Sequence, residues 1–80
     1  NALTGDDISL MYTSSSIIVK NNSGSDVQVT VFNLVGQPLQ TEKIPEGTKS
    51  FSHQLMKGTY VIEAKSINNS SKTILKAIIN

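Results

Sequence analysis

The chain has 80 residues, of which 38% are hydrophobic and 16% charged, and its net charge of +1 arises from seven lysines, no arginine and six carboxylates. A chain of this length builds one domain with one hydrophobic core and has little interior to spare for a catalytic cleft, and the absence of arginine argues against nucleic-acid binding. There is no cysteine, which excludes disulfides and thiolate chemistry, and no stretch has the roughly 20 apolar residues of a membrane span.

The hydrophobic pattern predicts strands and no helix of useful length. Short runs of alternating or β-branched residues are separated by turn formers about every 8 to 12 residues, which is typical of a sandwich or small barrel. We predict an all-β, immunoglobulin-like β-sandwich of about seven antiparallel strands, forming a single domain over residues 1–80. Asn1 and Ala2 resemble the remnant of an expression tag. The predicted strands are residues 8–12, 16–20, 27–34, 39–44, 49–53, 59–67 and 72–79.

The third strand has the clearest period of two. Val27, Val29 and Val31 alternate with polar residues, so the three valines are predicted to face the core. The six residues 21–26 before it are all turn formers, and we expect them to form an exposed hairpin loop.

Five residues are predicted to shape turns. Gly36 and Gly58 each precede a strand, where a turn needs a residue without Cβ. Asn33 is expected to bond across its own turn, with Gln37 closing the same segment, and the Tyr60 hydroxyl is expected to hold a corner. Substituting them should reduce stability rather than activity.

No catalytic, cofactor-binding or metal-binding constellation is found in the sequence. His53 is the only histidine and has no relay or ligand spacing around it, so it is interpreted as a strand-end residue. Asp6, Asp7 and Asp26 lack the alternating spacing of a calcium loop, and no serine lies in a Gly-x-Ser-x-Gly elbow. We therefore predict a protein that is not an enzyme and needs no cofactor.

The last predicted strand has apolar residues on both faces. They include Ile74, Leu75, Ile78 and Ile79, whereas a strand with one face in water should alternate. Two interpretations remain open. Either the strand is covered inside the domain, or it is an exposed edge that binds a protein partner or a second copy by strand addition.

Two segments resemble the C-terminal modules of Bacteroidetes secreted proteins. In that group a strand of alternating aliphatics ends in an aromatic, followed by Asn or Asp, two variable residues, Gly, and Gln or Arg. A later Leu-x-x-Gly-x-Tyr opens the penultimate strand. The segments VTVFNLVGQPLQ and LMKGTYVIEA are similar, and the positions that match are Phe32, Asn33, Gly36, Gln37, Leu55, Gly58 and Tyr60.

The resemblance implies one of two functions. One group is a family of short, stand-alone exported Bacteroides proteins of unknown function. The other is the type A sorting domain of the type IX secretion system, an immunoglobulin-like module at the end of a larger cargo protein. The opening ISLMYTSSS replaces a usual Pro-Asn-Pro, and the end KTILKAIIN is less basic than is common. These differences favour the stand-alone family.

We therefore expect an exported, non-catalytic interaction or accessory module, with the sorting domain as the alternative. The resemblance implies a location in the periplasm, at the cell surface or outside the cell. We expect an unidentified protein partner that is bound through strand edges and loops, while the composition predicts no nucleic acid and no membrane span.

Overall fold

The computed structural model describes residues 7–68 and 72–80 in full, and the strand at residues 2–4 by its backbone. This part of the chain forms antiparallel strands and contains no helix that could cross a membrane. The eight strands are β1 (Ala2–Thr4), β2 (Ile8–Tyr12), β3 (Ser16–Asn21), β4 (Val27–Phe32), β5 (Pro38–Ile44), β6 (Gly47–Ser52), β7 (Gly58–Ser66) and β8 (Lys72–Ile79). The all-β prediction is confirmed, and β2 to β8 correspond to the seven predicted strands.

The strands form two four-stranded sheets around one core. The order is β1-β2-β3-β6 in the first sheet and β5-β4-β7-β8 in the second. Consecutive strands pair at β1-β2, β2-β3, β4-β5 and β7-β8, whereas the chain changes sheet after β3, β5 and β6. The result is a two-layer sandwich.

Alternation along each strand builds the core. Val27, Val29 and Val31 are fully buried, as predicted. On the neighbouring strand, Ile62 lies opposite Val31 and Ala64 lies opposite Val29, and both are also fully buried. Because opposite residues of an antiparallel pair share one face, these pairs form a continuous apolar layer.

The segment 21–26 is not the hairpin loop that its composition predicted. It connects β3 in one sheet to β4 in the other, and its first residue, Asn21, is buried. The Asn21 amide donates to the carbonyl oxygens of Ser25 (2.8 Å) and Ile44 (3.2 Å), and its Oδ1 accepts from the backbone N–H and hydroxyl of Ser23. Turn formers are required in both situations, so composition could not separate a hairpin from a crossover between sheets.

Strands β2 and β8 belong to different sheets and are joined by two hydrogen bonds. The Thr73 hydroxyl donates to the carbonyl oxygen of Ile8 (3.1 Å), and the backbone N–H of Ile78 donates to the Tyr12 hydroxyl (3.1 Å). The side of the sandwich at β8 is therefore held by β2.

Candidate interaction surface

Strand β8 lies at the edge of its sheet, paired on one side with β7. Its burial alternates strictly along all eight residues. The four isoleucines and leucines that the sequence singled out are thereby separated: Leu75 and Ile79 are buried, whereas Ile74 and Ile78 are 47% and 51% exposed. Only the last two are available to a partner.

The backbone of β8 also divides into two sets of residues. The Ile78 N–H donates to Tyr12 and therefore points away from β7. The β7-β8 register is continuous from Gly58↔Ile79 to Lys65↔Lys72. In an antiparallel pair the residues facing the partner strand alternate with those facing away. The backbone groups of Lys72, Ile74, Lys76 and Ile78 therefore face the outer edge.

The exposed face of β8 combines apolar and basic side chains. Lys72 and Lys76 alternate with Ile74 and Ile78. Lys72 forms an ion pair with Glu63 on β7 (3.2 Å), while Lys76 lies opposite Val61. Of the two lysines, only Lys72 is thus matched by an acid on the neighbouring strand.

The Asn33 side chain forms hydrogen bonds within the β4-β5 turn. Its Oδ1 accepts from the backbone N–H groups of Val35 (3.1 Å) and Gln37 (2.9 Å), and its amide donates to Oε1 of Gln37 (2.8 Å). Gly36 closes the turn at φ +87°, a left-handed conformation that favours glycine. The Asn33 side chain thus bonds to both the backbone and the side chain of this turn.

This turn also exposes two apolar residues that the sequence reading did not single out. Leu34 and Val35 are 68% and 81% exposed. Leu34 was predicted to end the strand, but β4 ends at Phe32 because the Asn33 side chain takes over the hydrogen bonding of the turn. Their exposure could have been predicted from the sequence, because two adjacent aliphatic residues lie there inside a motif of turn formers.

A corner at the start of β7 lies at the same end of the sheet. The Tyr60 hydroxyl donates to the carbonyl oxygen of Met56 (2.7 Å), and Gly58 has φ +156°. An open cavity of about 360 Å³ lies between this corner and the beginning of β5. It is lined by Leu39, Gln40, Gln54, Leu55, Met56 and Tyr60. Its mixed lining has no cluster of titratable groups.

His53 follows β6 directly and is buried. Its Nε2 donates to the carbonyl oxygen of Thr13 (2.9 Å), while its Nδ1 accepts from the backbone N–H of Leu55 (3.2 Å). The Nε2 atom therefore joins this loop to the β2-β3 turn, while the Nδ1 atom bonds within its own loop. Asp6 lies outside the described residues, and no group of acids or histidines that could hold a metal ion is found among those described.

Comparison with known proteins identifies the family. A family model described as the secretion system C-terminal sorting domain matches residues 13–80. The chain belongs to this family. Searches of curated proteins and of solved structures gave no match. The sorting-domain resemblance is thus confirmed, and no finding supports the stand-alone family.

The match covers the whole sandwich except β1 and β2. It begins in the β2-β3 turn and includes the Asn33 turn, the Tyr60 corner and the whole of β8. Sorting domains are transport signals and not an enzyme family, and they imply an exported protein. The accessory-module prediction is therefore supported less well than its alternative.

Proposed function

We propose that this chain is a C-terminal sorting signal of type A, which directs a larger cargo protein through the type IX secretion system. The observation that carries the proposal is the family match over residues 13–80. The signal is read by a protein of the secretion machinery, and its cargo reaches the cell surface or the medium. No catalytic step is required of the domain.

The fold suits a signal that is recognised by its surface. The two sheets enclose a core of small and medium aliphatic residues, so the recognisable features are edges, turns and exposed side chains. These features include the β8 edge and the apolar end of the second sheet, which we define as Leu34, Val35, Leu39 and Met56. Scattered exposed apolar residues are ordinary, but these four lie in adjoining segments at one end of a sheet.

We also propose that the topology is immunoglobulin-like. Without β1, the first sheet contains the first, second and fifth strands, and the second sheet contains the fourth, third, sixth and seventh. Constant-type immunoglobulin domains divide seven strands in the same way except that their fourth strand pairs in the first sheet. Movement of one edge strand between sheets leaves the central pairs unchanged.

A reporter fusion tests the sorting function. A periplasmically exported reporter is joined to the N-terminus of this chain in a bacterium that has the secretion system, and reporter activity is measured in periplasm, cell surface and medium. The fusion is expected at the surface or in the medium. The same reporter without the chain is expected to stay in the periplasm.

A strain that lacks the outer-membrane translocon provides the matched control. There the fusion should accumulate in the periplasm although the domain is intact. Equal export with and without the chain, or equal export in both strains, would refute the sorting function.

A further inference from the structure

Four strand edges border the two sheets, and they differ in how well they could accept another strand. β1 has three residues, β5 begins at Pro38, and β6 is almost entirely polar. The β6 edge is also partly occupied, because the Gln40 side chain donates to the carbonyl oxygen of Ser52 (3.1 Å). β8 has eight residues without glycine or proline, although β1 and β2 of the first sheet pack close to it. Long apolar edges are the ones that pair with other chains.

From these differences we infer that the β8 edge binds an extended segment of a partner protein, which adds a strand to the second sheet. The partner segment alternates acidic and apolar side chains, with the acids beside Lys72 and Lys76. The inference rests on the proposed function, since it specifies how the secretion machinery recognises the sorting domain. Strand addition supplies affinity through the main chain and specificity through alternate side chains.

The backbone of β8 defines where the added strand pairs. The groups that face outward belong to Lys72, Ile74, Lys76 and Ile78, and the N–H of Ile78 is already bonded to Tyr12. The Tyr12 hydroxyl therefore marks one end of the available edge. Pairing proceeds along residues 72–76, a length close to that of an ordinary strand of about five residues.

The charges favour an acidic partner over a second copy. Two copies paired antiparallel through β8, with Leu75 opposite its counterpart, bring two Lys72 and two Lys76 side chains onto one face of a joined sheet. Glu63 is the acid that the structure places beside them, and it already contacts Lys72. Lysines on an edge discourage pairing between copies. An acidic strand converts the same charges into attraction.

A peptide titration tests the inference directly. The ¹⁵N-labelled chain is titrated at low salt with a blocked peptide of about seven residues that alternates glutamate and valine. Amide resonances of Ile74 and Lys76 are expected to shift. A peptide that alternates lysine and valine should bind about five- to tenfold more weakly. Equal binding of both peptides, or shifts that avoid β8, would overturn the inference.

Two proline variants separate edge pairing from general damage. The Ile74 N–H faces outward, so Ile74→Pro removes a donor from the edge without removing a bond to β7. Ser50→Pro is the matched control. Because the Ser52 carbonyl faces away from β3, the Ser50 N–H also faces outward on the β6 edge. Peptide binding should be lost in Ile74→Pro and retained in Ser50→Pro.

Charge reversal supplies a second pair of variants. Lys72→Glu with Lys76→Glu should reverse the preference between the two peptides. Lys20→Glu with Lys49→Glu makes the same change in net charge at exposed positions of the first sheet and should leave the preference unchanged. If both double variants behave alike, overall charge rather than the β8 edge determines binding.

Sedimentation and export distinguish the remaining outcomes. If the free chain is a dimer that Ile74→Pro converts to a monomer, a second copy occupies the edge and the acidic partner is refuted.

In the reporter assay, Ile74→Pro should block export while Ser50→Pro does not. Export of both variants refutes the inference but leaves the sorting function standing. Failure of the unsubstituted fusion refutes the sorting function, and the titration still decides what the edge binds.

Discussion

Leu10 tests whether the folding unit extends beyond the sequence that defines the family. It lies on β2, before the matched residues 13–80, yet its exposed fraction is 0%. Replacing a buried leucine by alanine costs about 2 to 5 kcal/mol. An 80-residue domain has a total stability of roughly 4 to 12 kcal/mol. Leu10→Ala should therefore remove a large share of the stability and lower Tm by about 10 °C or more.

Urea and thermal unfolding followed by far-ultraviolet circular dichroism measure this effect. Met11→Ala is the control, because Met11 is the next residue on the same strand but is 45% exposed. Met11→Ala should lower the free energy of unfolding by no more than about 1 kcal/mol. If Leu10→Ala unfolds at the same urea concentration as Met11→Ala, β2 does not contribute to the core and the structural unit begins at the matched segment.

Three further predictions concern the turns. Asn33→Ala should lower the free energy of unfolding in urea by about 1 to 2 kcal/mol, because two backbone N–H groups lose their acceptor. Asn33→Asp keeps the acceptor oxygen and should lower it less. Equal losses in the two variants would contradict this role of Asn33. Gly36→Ala should lower the free energy of unfolding by about 1 to 2 kcal/mol, because alanine is strained at φ +87°. No atom within 4 Å would contact the added Cβ, so the loss comes from the backbone alone. Gly36→Asn should recover part of the lost stability, since asparagine tolerates this conformation better. An unchanged midpoint for Gly36→Ala would show that the turn relaxes. His53→Ala should accelerate hydrogen exchange at the amide of Leu55, which loses its acceptor, and unchanged exchange would exclude this bond.

Sequence alone predicted the strands because their signal is local. Alternating valines and bounding turn formers establish both a strand and its buried face, and the structure confirms this at β4. Hydrogen bonds within a turn are local in the same sense. The Asn33 side chain bonds to residues two and four positions away, and such contacts depend on residue type and spacing.

Features that depend on strand order could not be predicted in this way. The loop 21–26 crosses between sheets because β3 and β4 lie in different sheets, and no local pattern in the sequence specifies that. The role of β8 is similar. Its composition suggested apolar groups on both faces, but only the edge position and the Tyr12 contact show which backbone groups are accessible. Long-range pairing is set by the complete topology and not by any one segment.

The opening of the chain is weak evidence against the sorting family. The segment ISLMYTSSS lacks the usual Pro-Asn-Pro, but most of it forms β2, which precedes the matched residues. β2 contributes to the sandwich two buried apolar side chains, Ile8 and Leu10, and two acceptors, the Ile8 carbonyl oxygen for Thr73 and the Tyr12 hydroxyl for the backbone N–H of Ile78. Alternation supplies the buried side chains and any residue supplies the carbonyl oxygen, so only the Tyr12 hydroxyl depends on residue identity. A strand with this role can differ in sequence without altering the fold of the segment that follows, so its departure from a family pattern carries little information about that segment's function.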